Sequence, residues 1–212
     1  MNFFRRVFLL STLGFVLTAT VWTGAYAQKV DVAELMAPGP LPDHVLGNDK
    51  APITVVEYAS MSCTHCAHFY NEVFQSFKKK YIDTGKVRFI MREFPLDPIA
   101  AGASALARCQ PADKYYSTIE FFFEHQQKWA FVDDPTKAML EMAKKVGFNK
   151  ESYEACLTDT KLSTAITDSA LKAREKFGVR GVPAFFINGE KLQGEKTLET
   201  FDGALEPLLK GS

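Results

Sequence analysis

The 212-residue chain lacks an excess of charge of either sign. Its 25 Lys and Arg balance 25 Asp and Glu, and its pI is near 6.9. Nothing in that balance points to nucleic acid, whose recognition usually shows as a basic patch. Internal repeats and low-complexity stretches are also missing. With 47% hydrophobic and 24% charged residues, the composition is that of an ordinary globular protein. It is long enough for one large domain or a domain with a big insertion. Cysteine and histidine are scarce, at four each. No cysteine precedes Cys63, which excludes a lipidated N-terminal cysteine.

What is present begins with an export signal. Arg5 and Arg6 give a positive start, Phe8 to Trp22 is apolar, and Ala25-Tyr26-Ala27 is a small-residue cleavage site. Residues 1–27 are therefore expected to be a removed signal peptide and the mature chain to begin near Gln28. The competing reading is an uncleaved anchor, for which the stretch is short. Arg5-Arg6 also resembles a twin-arginine signal, so both export routes stay open. Either leads out of a bacterial cytosol, where disulfides persist.

Along the mature chain, Gln28 to Lys50 reads as a proline-rich lead-in with one short edge strand near His44 to Leu46. Ile53 to Tyr58 is a β-branched buried strand. His65 to Tyr81 carries Phe69, Val73, Phe74 and Phe77 at helical spacing, and Val87 to Phe94 is the next strand. This strand–helix–strand unit implies parallel pairing. From Ile99 to Phe177 only helical signals occur: Ala100–Arg108, Lys114–Phe131, Thr136–Val146, Lys150–Leu157 and Lys161–Phe177. Val182 to Ile187 and Glu190 to Gln193 flank Asn188-Gly189, a strong hairpin signal. A helix from Thr197 to Leu209, with Leu198, Phe201, Leu205, Leu208 and Leu209 inward, closes the chain. The order is β-α-β, helical insertion, β-hairpin, α.

The chemistry concentrates at Cys63-Thr64-His65-Cys66, between the first strand and the helix after it. Cysteines at i and i+3 at such a junction can close a disulfide ring. The first is then left at a helix N-terminus, whose partial positive charge favours a thiolate. Cys63 is read as the exposed nucleophile and Cys66, one turn in, as the resolving thiol. His65 beside Cys63 would add to its stabilisation. Zinc needs a second ligand pair, and Cys66 and His68, two apart on a helix, point to different faces. No metal or cofactor is expected. Proximity pairs Cys63 with Cys66, which leaves Cys109 with Cys156.

Three features together give a resemblance. They are the segment from Glu57 through Cys66, the helical insertion, and Arg180-Gly181-Val182-Pro183-Ala184-Phe185-Phe186-Ile187-Asn188-Gly189. The mature chain resembles the DsbA family of periplasmic thiol–disulfide oxidoreductases. The resemblance implies an α/β thioredoxin fold in which an all-helical domain (97–177) divides a βαβ part (28–96) from a ββα part (178–212). It implies that Pro183 is a cis proline facing the dithiol and that the Val182 backbone pairs with substrate. Glu57 matches an acidic residue buried beneath the dithiol that exchanges a proton with Cys66; the other reading is a strand-end carboxylate paired with lysine. Thr64 departs from the family, where proline is common, and the central dipeptide tunes the potential.

Cys109 and Cys156 read as a staple within the insertion, as in some alphaproteobacterial members, or as a second redox pair. The aromatics from Tyr115 to Phe131 read as core. Met61 is the candidate for an exposed apolar contact with substrate. His44 and His125 are left as structural. The function implied is a monomeric periplasmic oxidase of newly exported, cysteine-containing proteins, reoxidised by a membrane quinone-linked partner of DsbB type. An isomerase or reductase of misoxidised proteins is the alternative. A peptide-binding or copper-binding protein with an idle thiol pair is a third reading.

Overall fold

The computed structural model describes residues 29–211; the signal peptide expected over 1–27 lies outside them. Ile53–Ala59 forms strand β2, as its β-branched residues favour. It pairs in parallel with β3 (Val87–Glu93) and antiparallel with β4 (Ala184–Ile187). β1 (Val45–Leu46) and β5 (Glu190–Lys191) are short edges, giving the order β1-β3-β2-β4-β5 among the described residues. Short edges limit the unpaired backbone a sheet presents to other chains. At the β4–β5 turn Asn188 and Gly189 both take positive φ, 46° and 84°, as a type I′ turn requires.

Side chains alternate across the sheet. Val55, Phe89, Met91 and Phe185 face one core; Val56, Tyr58, Ile90 and Phe186 face the other. The first core is closed by helix α2 (64–82) and by α8 (Leu198–Lys210). In α2 the ordinary helical segment Thr64–His68 gives way to wider π-type turns at Phe69–Phe74 and Lys78–Ile82. Phe69 and Tyr70, adjacent in sequence, are both buried. Phe69 packs against Phe74, Phe77, Phe185 and Phe201. Burying one such side chain stabilises the fold by about 1.5–3 kcal/mol.

Between β3 and β4 lie α3 (Pro98–Cys109), α4 (Tyr115–Glu124), α5 (Pro135–Lys145), α6 (Lys150–Leu157) and α7 (Thr160–Lys176). Asp97, Asp134, Asn149 and Asp159 cap the starts of α3, α5, α6 and α7 with side-chain oxygens. Glu93 and Arg108, both almost wholly buried, form an ion pair that ties β3 to α3. Tyr115 adds a hydrogen bond to Glu93.

Four details depart from the sequence reading. The lead-in contains a helix, α1 (Val32–Met36), because Asp31 accepts from the Glu34 N–H and Leu35 finds a buried seat. The aromatic helix stops at Glu124 rather than running to Phe131: a tight turn at Gln126–Lys128 follows, and the Trp129 indole donates back to the Phe122 carbonyl. Trp129 is buried, whereas Phe131 is exposed. β4 begins at Ala184, so Val182 and Pro183 lie just ahead of the strand. In α8 Phe201 and Leu205 are buried, but Leu208, expected inward, is exposed.

Candidate active site

The parallel β2–β3 pair carries the chain from Ala59 through Ser60-Met61-Ser62 into α2. Cys63 is the N-cap of that helix. Its sulfur accepts from the Cys66 backbone N–H at 3.4 Å. Facing it, the Val182–Pro183 peptide bond is cis, and the Cys63 thiol donates to the Val182 carbonyl at 3.4 Å. The two cysteines are unbonded thiols.

Their surroundings drive the two thiols apart. Cys63 is pulled down to about 6. The largest cause is a hydrogen bond from the Cys66 side chain; the backbone N–H groups of Cys66 and His65 add to it, and the His65 charge contributes least. Cys66, wholly buried, is pushed well above 9 by desolvation, by the hydrogen bond it gives Cys63 and by the charge of Glu57. His65 is exposed at the mouth of the site. The sequence named the helix terminus and the imidazole as the stabilising groups; the geometry adds the partner thiol as the largest cause and leaves the imidazole the smallest.

Glu57 sits in the middle of β2 with no exposure. Its register partners are Met91 and Phe185. Burial raises its carboxyl to about 8, against a lowering hydrogen bond that Tyr70 donates to Oε2 at 3.0 Å. Oε1 has no partner. The alternative of a lysine-paired strand end does not match this geometry, in which the partner is a tyrosine.

Two expectations are corrected. Cys63, read as exposed, is only 8% exposed, because the N-cap geometry folds its sulfur over the first turn and Val182 lies across it. Met61, read as a substrate contact, has no exposed surface. Its carbonyl, and that of Cys63, accept from the Gln126 side-chain amide at 2.8 and 3.0 Å. That contact turns the loop inward and makes Met61 core. The open surface lies on the other side, in a cleft of about 480 Å³ lined by His65, His68, Val182, Pro183, Glu195 and Lys196 among others.

The sequence reading missed Gln126, Tyr70 and a further set that anchors the loop. Ser62 donates to Asp97 at 2.5 Å, Ser60 lies 3.2 Å from Ser62, and Leu96 N–H donates to Ser60. Asp97 thereby holds the loop and caps α3 at once. None of these carried a sequence signal of its own; Tyr70 sits on an apolar helix face where a tyrosine reads as core. The other pair, Cys109 and Cys156, is disulfide-bonded within the helical segment, joining the end of α3 to α6. Among the described residues no helix is long and apolar enough to cross a membrane.

Comparison with known proteins agrees with this arrangement. The model of a family described as thioredoxin matches residues 41–207. The crystal structure of alpha-DsbA1 from Wolbachia pipientis superposes with a TM-score of 0.77 at 32% identity, covering 85% of this chain and 97% of that one. A Rickettsia typhi protein named for protein-disulfide oxidoreductase activity is 33% identical over 77% of this chain, which spans 62% of that relative's length. Disulfide bond formation protein D of Bacillus subtilis is 28% identical over 79% of this chain and 77% of its own. With the inserted helices, the Cys63–Cys66 pair and the cis Pro183 all in place, the chain belongs to the DsbA family of thioredoxin-fold proteins.

Proposed function

We propose that this chain is a periplasmic thiol–disulfide oxidase that donates a Cys63–Cys66 disulfide to newly exported proteins. A substrate thiolate attacks Cys63 and forms a mixed disulfide, and Cys66 leaves. A second substrate thiolate then releases the reduced enzyme. A membrane quinone-linked partner of DsbB type restores the disulfide. The cleft beside Val182 and Pro183 receives the substrate chain, whose backbone pairs with Val182. No cofactor is required for the exchange.

One observation carries the reading: the opposed displacement of the two thiols, Cys63 down to about 6 and Cys66 well above 9. A stabilised Cys63 thiolate stabilises the reduced protein relative to its disulfide, so the disulfide oxidises more strongly. It also makes Cys63 the better leaving group toward substrate. Each unit by which Cys63 is depressed is worth about 1.4 kcal/mol, or about 30 mV in a two-electron couple. Equilibration of the pair with glutathione tests this. A potential well above the thioredoxin end of the scale is expected; a value near about −270 mV would assign the protein to reduction instead.

A further inference from the structure

Oxidation by this pair moves a proton as well as electrons, and the buried end of the site shows how. Glu57 is enclosed on the inner face of β2, between Met91 and Phe185. The groups that act on it are Tyr70 and Cys63; Cys66 and Tyr116 in turn feel its charge. The Tyr116 hydroxyl is engaged elsewhere: it accepts from the Met91 N–H and donates toward the carbonyls of His44 and Phe89. Tyr70 is held from several sides. Its ring stacks on Phe123 with centroids 4.5 Å apart, and it lies against Phe69 and Phe74. Its one hydroxyl proton goes to Glu57 Oε2, and Oε1 is left buried without a partner.

We propose that Tyr70 is a positioning residue: it occupies Oε2 so that Oε1 is the oxygen that exchanges a proton with Cys66. This rests on the oxidase reading. When a substrate thiolate attacks Cys63, the Cys63–Cys66 bond breaks and Cys66 leaves with the electron pair. Glu57 Oε1 delivers a proton to that sulfur. The carboxylate left behind keeps the Tyr70 hydrogen bond, which offsets part of the cost of a buried charge. Reoxidation reverses the path. Cys66 returns its proton to Oε1 and attacks Cys63 in a mixed disulfide with an oxidising disulfide, whose own sulfur leaves as thiolate. A tyrosine suits the task because its rigid ring carries one donor and holds it in one place.

The mature protein tests this through ring closure that expels glutathione from Cys63, followed by rapid quench between pH 5 and 10. This step is intramolecular, so no external thiol titrates with it. The wild-type rate should rise through an inflection where Glu57 ionises, above the ordinary carboxyl range because of burial and no higher than the value of about 8 it has beside a free Cys63, and Glu57→Gln should lack that inflection. Tyr70→Phe removes a donor to the carboxylate, so the inflection should move to higher pH by roughly one unit, with closure about tenfold slower below it. Site-specific 3-fluorotyrosine at position 70, a stronger donor in a nearly unchanged ring, should move it to lower pH. It supplies the decisive result if Tyr70→Phe does not fold. The double variant should behave as Glu57→Gln alone. An unmoved inflection in the position-70 variants, or additive losses in the double variant, would overturn the proposal. So would a wild-type inflection in Glu57→Gln, while oxidation of a cysteine peptide that depends on Cys63 would leave the oxidase reading standing.

Discussion

Cys63 and Cys66 are the same residue three positions apart, yet the fold pushes their thiols in opposite directions. In the reduced protein, alkylation of Cys63 should be half-maximal near pH 6. Cys66→Ala should raise that midpoint toward the ordinary thiol range without reaching it, because the backbone N–H groups of His65 and Cys66 remain. An unchanged midpoint would show that the partner thiol is not the main cause. Glu57 gives the opposite dependence. In the unfolded chain its carboxyl ionises near 4.5, in the fold near 8. Below pH 4.5 both states hold the proton. As pH rises toward 8 only the unfolded state loses it, so stability falls across that window and levels off above it. Glu57→Gln should therefore gain on the wild type by a few kcal/mol between pH 4 and pH 8, read from urea midpoints of the reduced protein. A difference constant with pH would sink the assignment. The dithiol was legible from its spacing and Glu57 from a charge in an apolar strand, whereas the cis proline was legible only through the family resemblance of the segment around it. Tyr70 was not, since a tyrosine on an apolar helix face looks like core until its hydroxyl is seen to meet the carboxyl.

The elements were legible where the caps are explicit, as in α5, α6 and α7, whose starts carry Asp134, Asn149 and Asp159. The helix in the lead-in was not legible, because its cap is local and its apolar face is short, whereas Met61 was misread because of a contact made across a long sequence separation. Met61 follows a strand and precedes the dithiol, which reads as a rim position. Gln126, 65 positions away, draws its carbonyl inward, and the same contact accompanies the end of the aromatic helix at Glu124. Gln126 is thus the point at which the helical segment grips the loop that leads into α2. Gln126→Leu leaves the buried Met61 carbonyl without its donor, whereas the Cys63 carbonyl retains the Ala67 N–H at 3.0 Å. A loss of about 1–3 kcal/mol is expected, with faster amide exchange in the first turn of α2. Wild-type protection of those amides would show that the helix holds its start unaided.

At the scale of the whole molecule, the helices between β3 and β4 must be held as a unit against the sheet that carries the dithiol. Glu93, Arg108 and Tyr115 do this at the β3–α3 junction, and one residue beyond Arg108 the chain is bonded to α6 through Cys109 and Cys156. That disulfide closes a loop across a sequence separation of 47. Restricting such a loop in the unfolded chain stabilises the native state by about 4 kcal/mol as an upper guide. For a chain of this size, that corresponds to roughly 8–16 °C in Tm. Cys109→Ser/Cys156→Ser should lower Tm by up to that amount while the protein still oxidises a cysteine peptide, because neither sulfur belongs to the Cys63 site. Cys63→Ser should do the reverse, abolishing oxidation with little change in Tm. Loss of oxidation in both variants would mean that the second disulfide governs the first.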